Sequence, residues 1–236
     1  MRGYTRHQLK QDRFQEATKE TFSWAVEHQK KLVTGGTIAV VAALVILGGW
    51  YGLSYRDQHA GMALAQALRT YQAPLRPANV PAQPDVPSFT SATDRAKAAN
   101  AAFKKVAGTY GWTRSGQIAR YFVGLTYRDM GDMPAAEREL KQVAGTRNKD
   151  LASLAKLALA GIYRDTGRDK DAIALYQDLI SHPTDSVAKS SAELELAQVY
   201  EPQQPQEARR IYDQIRKEEP ASAAAEIAGS RLATMK

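Results

Sequence analysis

The sequence contains no cysteine. Disulfide staples, thiolate zinc sites and cysteine nucleophiles are therefore excluded. Zero cysteine also suits an oxidising compartment, because nothing can mispair. The four histidines, His7, His28, His59 and His182, fall at no metal-ligand spacing. There is no phosphate-binding Gly-rich loop ending in Lys-Ser/Thr and no Gly-x-Ser-x-Gly elbow. The carboxylate pairs Glu137/Glu139 and Glu193/Glu195 stand two residues apart, so they diverge on a helix. Glu218-Glu219 reads as a solvated helix end. These absences point away from an enzyme, and no catalytic residue, cofactor or metal is expected. Proline is scarce outside one stretch, since five of the ten lie between Pro74 and Pro87. Long apolar runs are also missing, with a single exception.

The exception is a gap of 24 uncharged residues, Leu32 to Tyr55, holding the apolar run Ile38 to Leu47. At ~1.5 Å per residue, a helix of that length spans a ~30 Å hydrocarbon core. The sequence thus predicts one transmembrane helix over 32–55. A cleaved signal peptide fits less well, because 31 residues precede the gap and the best small-residue site, Ala63-Leu-Ala65, lies well past it. Residues 1–31 hold seven Lys/Arg against four acids, with Lys30 and Lys31 abutting the run, whereas beyond it Arg56 is followed at once by Asp57. Positive-inside counting places the N-terminus in the cytoplasm and the bulk of the chain across the membrane. Trp50, Tyr51 and Tyr55 cluster at the far end, where aromatic rings suit the interface. Within 1–31, Phe14, Ala17, Phe22 and Ala25, with Leu32 further on, lie roughly along one helical side, so an amphipathic surface helix is one reading and an extension of the membrane helix the other.

The chain carries a net charge of +7, divided as +3 over residues 1–31 and +4 over 56–236. The larger part has a mildly basic, mixed surface and no nucleic-acid footprint.

From about residue 94 the sequence repeats at a period of 36 or 37. One half of the unit reads apolar–small–x–x–Tyr, at Val123-Gly124-Leu-Thr-Tyr127, Leu159-Ala160-Gly-Ile-Tyr163 and Leu196-Ala197-Gln-Val-Tyr200. The other reads Ala–x3–bulky–x2–apolar, at Ala99/Phe103/Val106, Ala136/Leu140/Val143, Ala172/Tyr176/Leu179 and Ala208/Tyr212/Ile215. Steps of three and four put each set on one helical face. Turn residues separate the halves at Gly131-Asp132-Met-Pro134, Gly167-Arg-Asp and Glu201-Pro-Gln-Gln-Pro205. This pattern resembles the tetratricopeptide repeat. The resemblance implies that the small residue of helix A lets helix B approach, that Tyr fills the gap above it and that the helix-B Ala packs closely. The aromatic usual early in helix A is replaced by Arg120, Lys156 and Glu193. The fold class expected is all-α: one N-terminal transmembrane helix, then a tetratricopeptide-like α-solenoid of three to four hairpins over 56–236. Residues 94–220 form the repeats, and Ala-rich 221–236 forms a capping helix.

The helix B at Ala99–Val106 has no mate just before it, because Pro-rich 73–93 cannot be helical. Upstream, Met62 to Tyr71 is helix-forming. The membrane helix can continue into 56–72 as the first helix A, making 73–93 a loop inside that repeat; the alternative is a flexible linker to an independent domain. The loop is preferred because it supplies the missing mate. Residues 50–65 must then be helical.

Two features could carry binding. Gly48 and Gly52, with Ala39 and Ala43 on another row, would allow close contact with a membrane helix. On the solenoid's concave face, Arg120, Tyr121, Lys156 and Glu193 are the candidates for a protein partner.

The layout of short basic segment, Trp24 to Leu32, apolar run, Gly49-Trp-Tyr and Ala-rich helix Ala60–Tyr71 resembles the YfgM-like family of bacterial inner-membrane proteins. That resemblance implies an ancillary Sec-translocon subunit with a periplasmic repeat domain, whose partners are the translocon, periplasmic chaperones or client chains, and which has no catalytic residues. The competing reading is a structural or assembly subunit of another inner-membrane complex, respiratory, envelope-assembly or division.

Overall fold

The computed structural model describes residues 29–81 and 86–235. The chain divides into two units, Met1–Arg56 and Asp57–Lys236. The proposed amphipathic segment of the N-terminus falls almost wholly on residues 1–28, outside the described residues. Helix α1, Gln29–Tyr71, begins in the first unit and ends in the second. No proline interrupts it, and Pro74 follows its end closely, as expected for a helix stop. Residues 50–65 lie inside this helix.

Among the described residues, no helix is long and apolar enough to cross a membrane. The side chains of residues 29–33, 35, 36, 38–40 and 50, which include Ile38, Ala39 and Val40 of the apolar run, lie outside the described set. The larger side chains of the rest of that run, Val41, Leu44, Val45, Ile46 and Leu47, are 53% to 69% exposed. Gly48 and Gly52 meet no heavy atom around a built Cβ, and Ala43 is exposed.

The second unit is built from helical hairpins. After α1 come α2 (Ala92–Tyr110), α3 (Arg114–Asp129), α4 (Met133–Ala144), α5 (Lys149–Asp165), α6 (Asp169–Ser181), α7 (Lys189–Tyr200), α8 (Pro205–Glu218) and α9 (Ala223–Thr234). From α2 onward, each helix packs chiefly on its neighbours in sequence. Short polar side chains start several of them. Ser91, Thr113, Asp132, Asn148 and Ser222 each accept the backbone N–H three residues on, which satisfies a donor the helix cannot. The tight turns after α3 and α5 run through Gly131 (φ 80°) and Gly167 (φ 74°), a left-handed backbone that favours glycine.

The tail of α1 is the mate of α2. Leu64 and Ala67 share a core with Ala99, Phe103, Val106, Ala119 and Val123. The Tyr71 ring meets Phe103 and Phe122 edge-on at 6.0 and 5.6 Å, and Phe103 stacks on Phe122 at 4.9 Å. The described parts of the Pro-rich stretch between them, residues 72–81 and 86–91, are not helical. Its base is pinned by an isolated parallel bridge, Leu75 to Phe89, by Arg76 N–H donating to Phe89 O (2.8 Å), and by Arg95 Nη1 donating to Ala73 O (3.1 Å).

The remaining repeats share a second core. Ala136, Ala160, Ala172, Ala197 and Ala208 are fully buried in it beside Leu140, Tyr176, Leu179, Tyr212 and Ile215. Gly124 shows why the small position matters. A Cβ there would lie 2.6 Å from Leu140 Cγ, so helices α3 and α4 can come this close only without a side chain. Tyr163 is buried, and Tyr127 and Tyr200 are half-buried at the core's margin. At the end, α9 buries Ala225 and Ala228, and the Met235 carbonyl accepts a hydrogen bond from Arg209 Nη2.

Candidate functional site

The first helices of successive hairpins, α3 and α5, touch each other. Between them runs an open groove of about 270 Å³. Its floor is Leu125 and Tyr121 of α3 with Leu154, Leu157, Ala158 and Gly161 of α5. Tyr176, Arg128, Arg164 and Glu195 complete the wall. Leu125, Leu154, Leu157 and Tyr121 pack against the core on one side and are only half-buried. Arg164 Nη1 reaches Glu195 Oε2 at 2.6 Å, tying α5 to α7. Arg128, one repeat earlier, pairs only with its neighbour Asp129, at 3.5 Å, among the described residues. Burial pushes the Tyr121 hydroxyl pKa up, and burial followed by the Glu195 carboxylate does the same at Tyr176. Both phenols are thus neutral donors. The groove offers apolar area, two phenol rings and arginines at its edge, which suits a side-chain-rich peptide and provides no group poised for chemistry.

Of the residues singled out for partner binding, only Tyr121 lines this groove. The structure places Arg120, Lys156 and Glu193 between a hairpin's own two helices. Arg120 Nη1 donates to Gln142 Oε1 at 3.1 Å and lies 4.0 Å from Glu139. Lys156 Nζ pairs with Asp178 Oδ2 at 2.6 Å and holds that carboxyl below the usual range. Glu193 is 6% exposed. Its burial raises its pKa, an effect that Lys189 Nζ, 3.4 Å away, partly offsets. Lys189 also binds Glu218 at 2.7 Å. The three residues occupy the place of the repeat's missing aromatic; Arg120 and Lys156 make polar links to the second helix of their hairpins, and Glu193 pairs with Lys189 on its own helix. The repeat register puts them on the concave face; Arg120 keeps 44% of its side chain exposed and Lys156 32%, whereas Glu193 is buried.

The groove residues carried a quieter signal. Tyr127-Arg128-Asp129 and Tyr163-Arg164-Asp165 recur 36 apart. Leu154 and Leu157 sit among nine buried residues of α5, so periodicity alone reads them as core. Among the described residues, no group of three or more His, Asp or Glu could hold a metal ion.

Antiparallel hairpins with small residues at the crossing, Tyr above them and a partly apolar groove across their first helices define a helical-repeat protein-interaction domain. The chain belongs to the tetratricopeptide repeat-like domain family, whose model matches residues 31–177. No curated protein and no solved structure matches the chain.

Proposed function

We propose that this protein is a non-enzymatic scaffold anchored in a bacterial inner membrane. Residues 32–55 cross the bilayer, the basic N-terminal segment stays in the cytoplasm, and the repeat unit stands in the periplasm. There it associates with the Sec translocon, YfgM-like, and holds translocated chains or hands them to chaperones. The observation that carries the scaffold role is the groove at Tyr121, Leu125, Leu154 and Leu157, apolar surface held half-open by the stacking of α3 and α5. The anchor is supported by the charge-free gap and by the exposed side chains of Val41 and Leu44 to Leu47. Apolar surface of that density has hydrocarbon as its matching solvent. Tethering the groove beside a membrane exit site raises its effective concentration for emerging chains.

Purification of the full chain in mild detergent, with crosslinkers placed over 38–55, tests the reading. Translocon subunits are expected, and exclusive recovery of a respiratory or division complex would overturn the assignment. Leu154→Lys with Leu157→Lys should abolish client capture while leaving complex assembly intact.

A further inference from the structure

The hairpin of α5 and α6 holds a cavity of about 520 Å³ between the start of α5 and the end of α6. Ser153 lines it. This residue is only 7% exposed, and its hydroxyl makes no hydrogen bond among the described residues. A buried hydroxyl of this kind is left without a partner at a cost in free energy. The hydroxyls at the rim differ, since Thr146 donates to Val143 O at 2.8 Å and Thr184 accepts from the Val187 N–H at 3.2 Å. Lys149 and Lys156 stand four residues before and three after Ser153, so the three share a face of α5. Lys156 pairs with Asp178 at 2.6 Å, and His182 Nδ1 lies 3.2 Å from the same carboxylate. Lys149 has no ion pair among the described residues. Asp150 is outside the lining, and its carboxylate accepts the Ser186 N–H at 3.3 Å. Lys149 and Lys156 against Asp178 leave one positive charge in excess when His182 is neutral. The rest of the wall is apolar, from Ala144, Ala152, Leu179 and Pro183.

Neighbouring hairpins spend their charges at this place. Arg120 reaches across to Gln142 and Glu139, and Gly116, 37 residues before Ser153, lies so close to the Tyr110 carbonyl that a Cβ would collide with it. The groove at α7 and α8 is of similar size, about 500 Å³, but its cations are engaged. Lys189 binds Glu193 and Glu218, and Arg210 binds Glu207.

We infer that the cavity of the α5–α6 hairpin is a binding site for a small carboxylic acid with a short apolar body. A carboxylate carries the single negative charge that the excess lysine calls for, and it accepts the hydrogen bond that the Ser153 hydroxyl has to give. The alanines, Leu179 and Pro183 would cover the apolar body, in the usual division of a small-molecule pocket. The site lies wholly within the repeat unit and shares no residue with the groove at Tyr121 and Leu157, so it rests neither on the proposed anchor nor on client capture.

The test uses the full chain in mild detergent and butyrate as the probe. Lysines are acylated with a reactive acetyl ester, and each site is read by mass spectrometry. Butyrate is expected to slow acylation of Lys149 saturably at constant ionic strength, while exposed Lys170 on α6 reacts as before. Ser153→Ala should raise the butyrate concentration for half-protection by about ten-fold, the loss of one hydrogen bond to a charged group. Ala144→Leu, which fills the apolar side from a half-buried position, should abolish protection at unchanged helical circular dichroism. Two further probes separate the binding terms. Butyramide has the body without the charge, inorganic phosphate has charge without the body, and neither should protect. Absence of protection by butyrate overturns the inference. So does equal protection by butyramide or by phosphate, or a Ser153→Ala chain that behaves as wild type.

Discussion

The first repeat and those after it solve the same packing problem differently. In the first, three rings (Tyr71, Phe103 and Phe122) fill the junction, and a Pro-rich stretch of 20 residues separates the two helices in the sequence. In the second and third, a glycine or alanine lets the helices close on each other, and a short glycine turn joins them. Charge divides along the same line. Residues 57–129 carry nine basic groups against four acidic ones, whereas the later repeats are laced by pairs such as Glu137 with Lys141 and Arg168. Where rings supply the contact area, the loop can be long and the surface one-signed. Where backbones must approach closely, turn geometry and cross-helix pairs are fixed more tightly.

Phe103→Ala should break the comparison most strongly. Phe103 is fully buried at the centre of the ring cluster, and its loss should cost about 3–5 kcal/mol. Urea titration checks the magnitude. Hydrogen exchange should show α2 and the tail of α1 opening before α5 to α8. In the later repeats, Gly124→Val should cost about 1–3 kcal/mol through the clash with Leu140. Leu140→Val in the same chain should recover part of this, giving a non-additive cycle in thermal melts. Gly131→Ala places a Cβ at φ 80° and should cost about 1 kcal/mol. A Gly108→Ala control in α2, where a Cβ meets open space, should be neutral or slightly stabilising.

The smallest effect concerns two carboxylates of opposite sign. Hydrogen bonds from Lys141, then Arg168 and Tyr163, hold the Glu137 pKa down against its burial. Its contribution is present above the unfolded carboxylate pKa and is lost as pH falls through the lowered folded value. Both cations are more than a third exposed, so the gap between wild type and Glu137→Gln should stay below about 1 kcal/mol and vanish in acid. Glu193, raised by burial, runs the other way. Its charge costs stability above the raised folded pKa, so Glu193→Gln should gain on wild type as pH rises out of the carboxylate range. Melting temperatures across that range decide both signs.

Helix order, the buried alanines and the mate for Ala99–Val106 were legible because each depends on spacing along one helix. Lone features were not. Arg120 and Lys156 reach across to the second helix of their own hairpins while staying partly exposed, and Glu193 is buried, which depends on where helix B returns. Leu154 and Leu157 read as core, and only the stacking of α3 on α5 leaves them half-open. The small-residue row at Gly48 and Gly52 faces no partner within the described chain.

The sequence by itself determined a repeating all-α chain with one charge-free segment and one proline-rich interruption, because periodicity and the missing N–H of proline act locally. The tertiary structure decided which polar residues clasp helices together and which leucines remain available to a partner. Those outcomes depend on which faces meet after the chain has turned back on itself, a property of packing between elements that no single helix encodes.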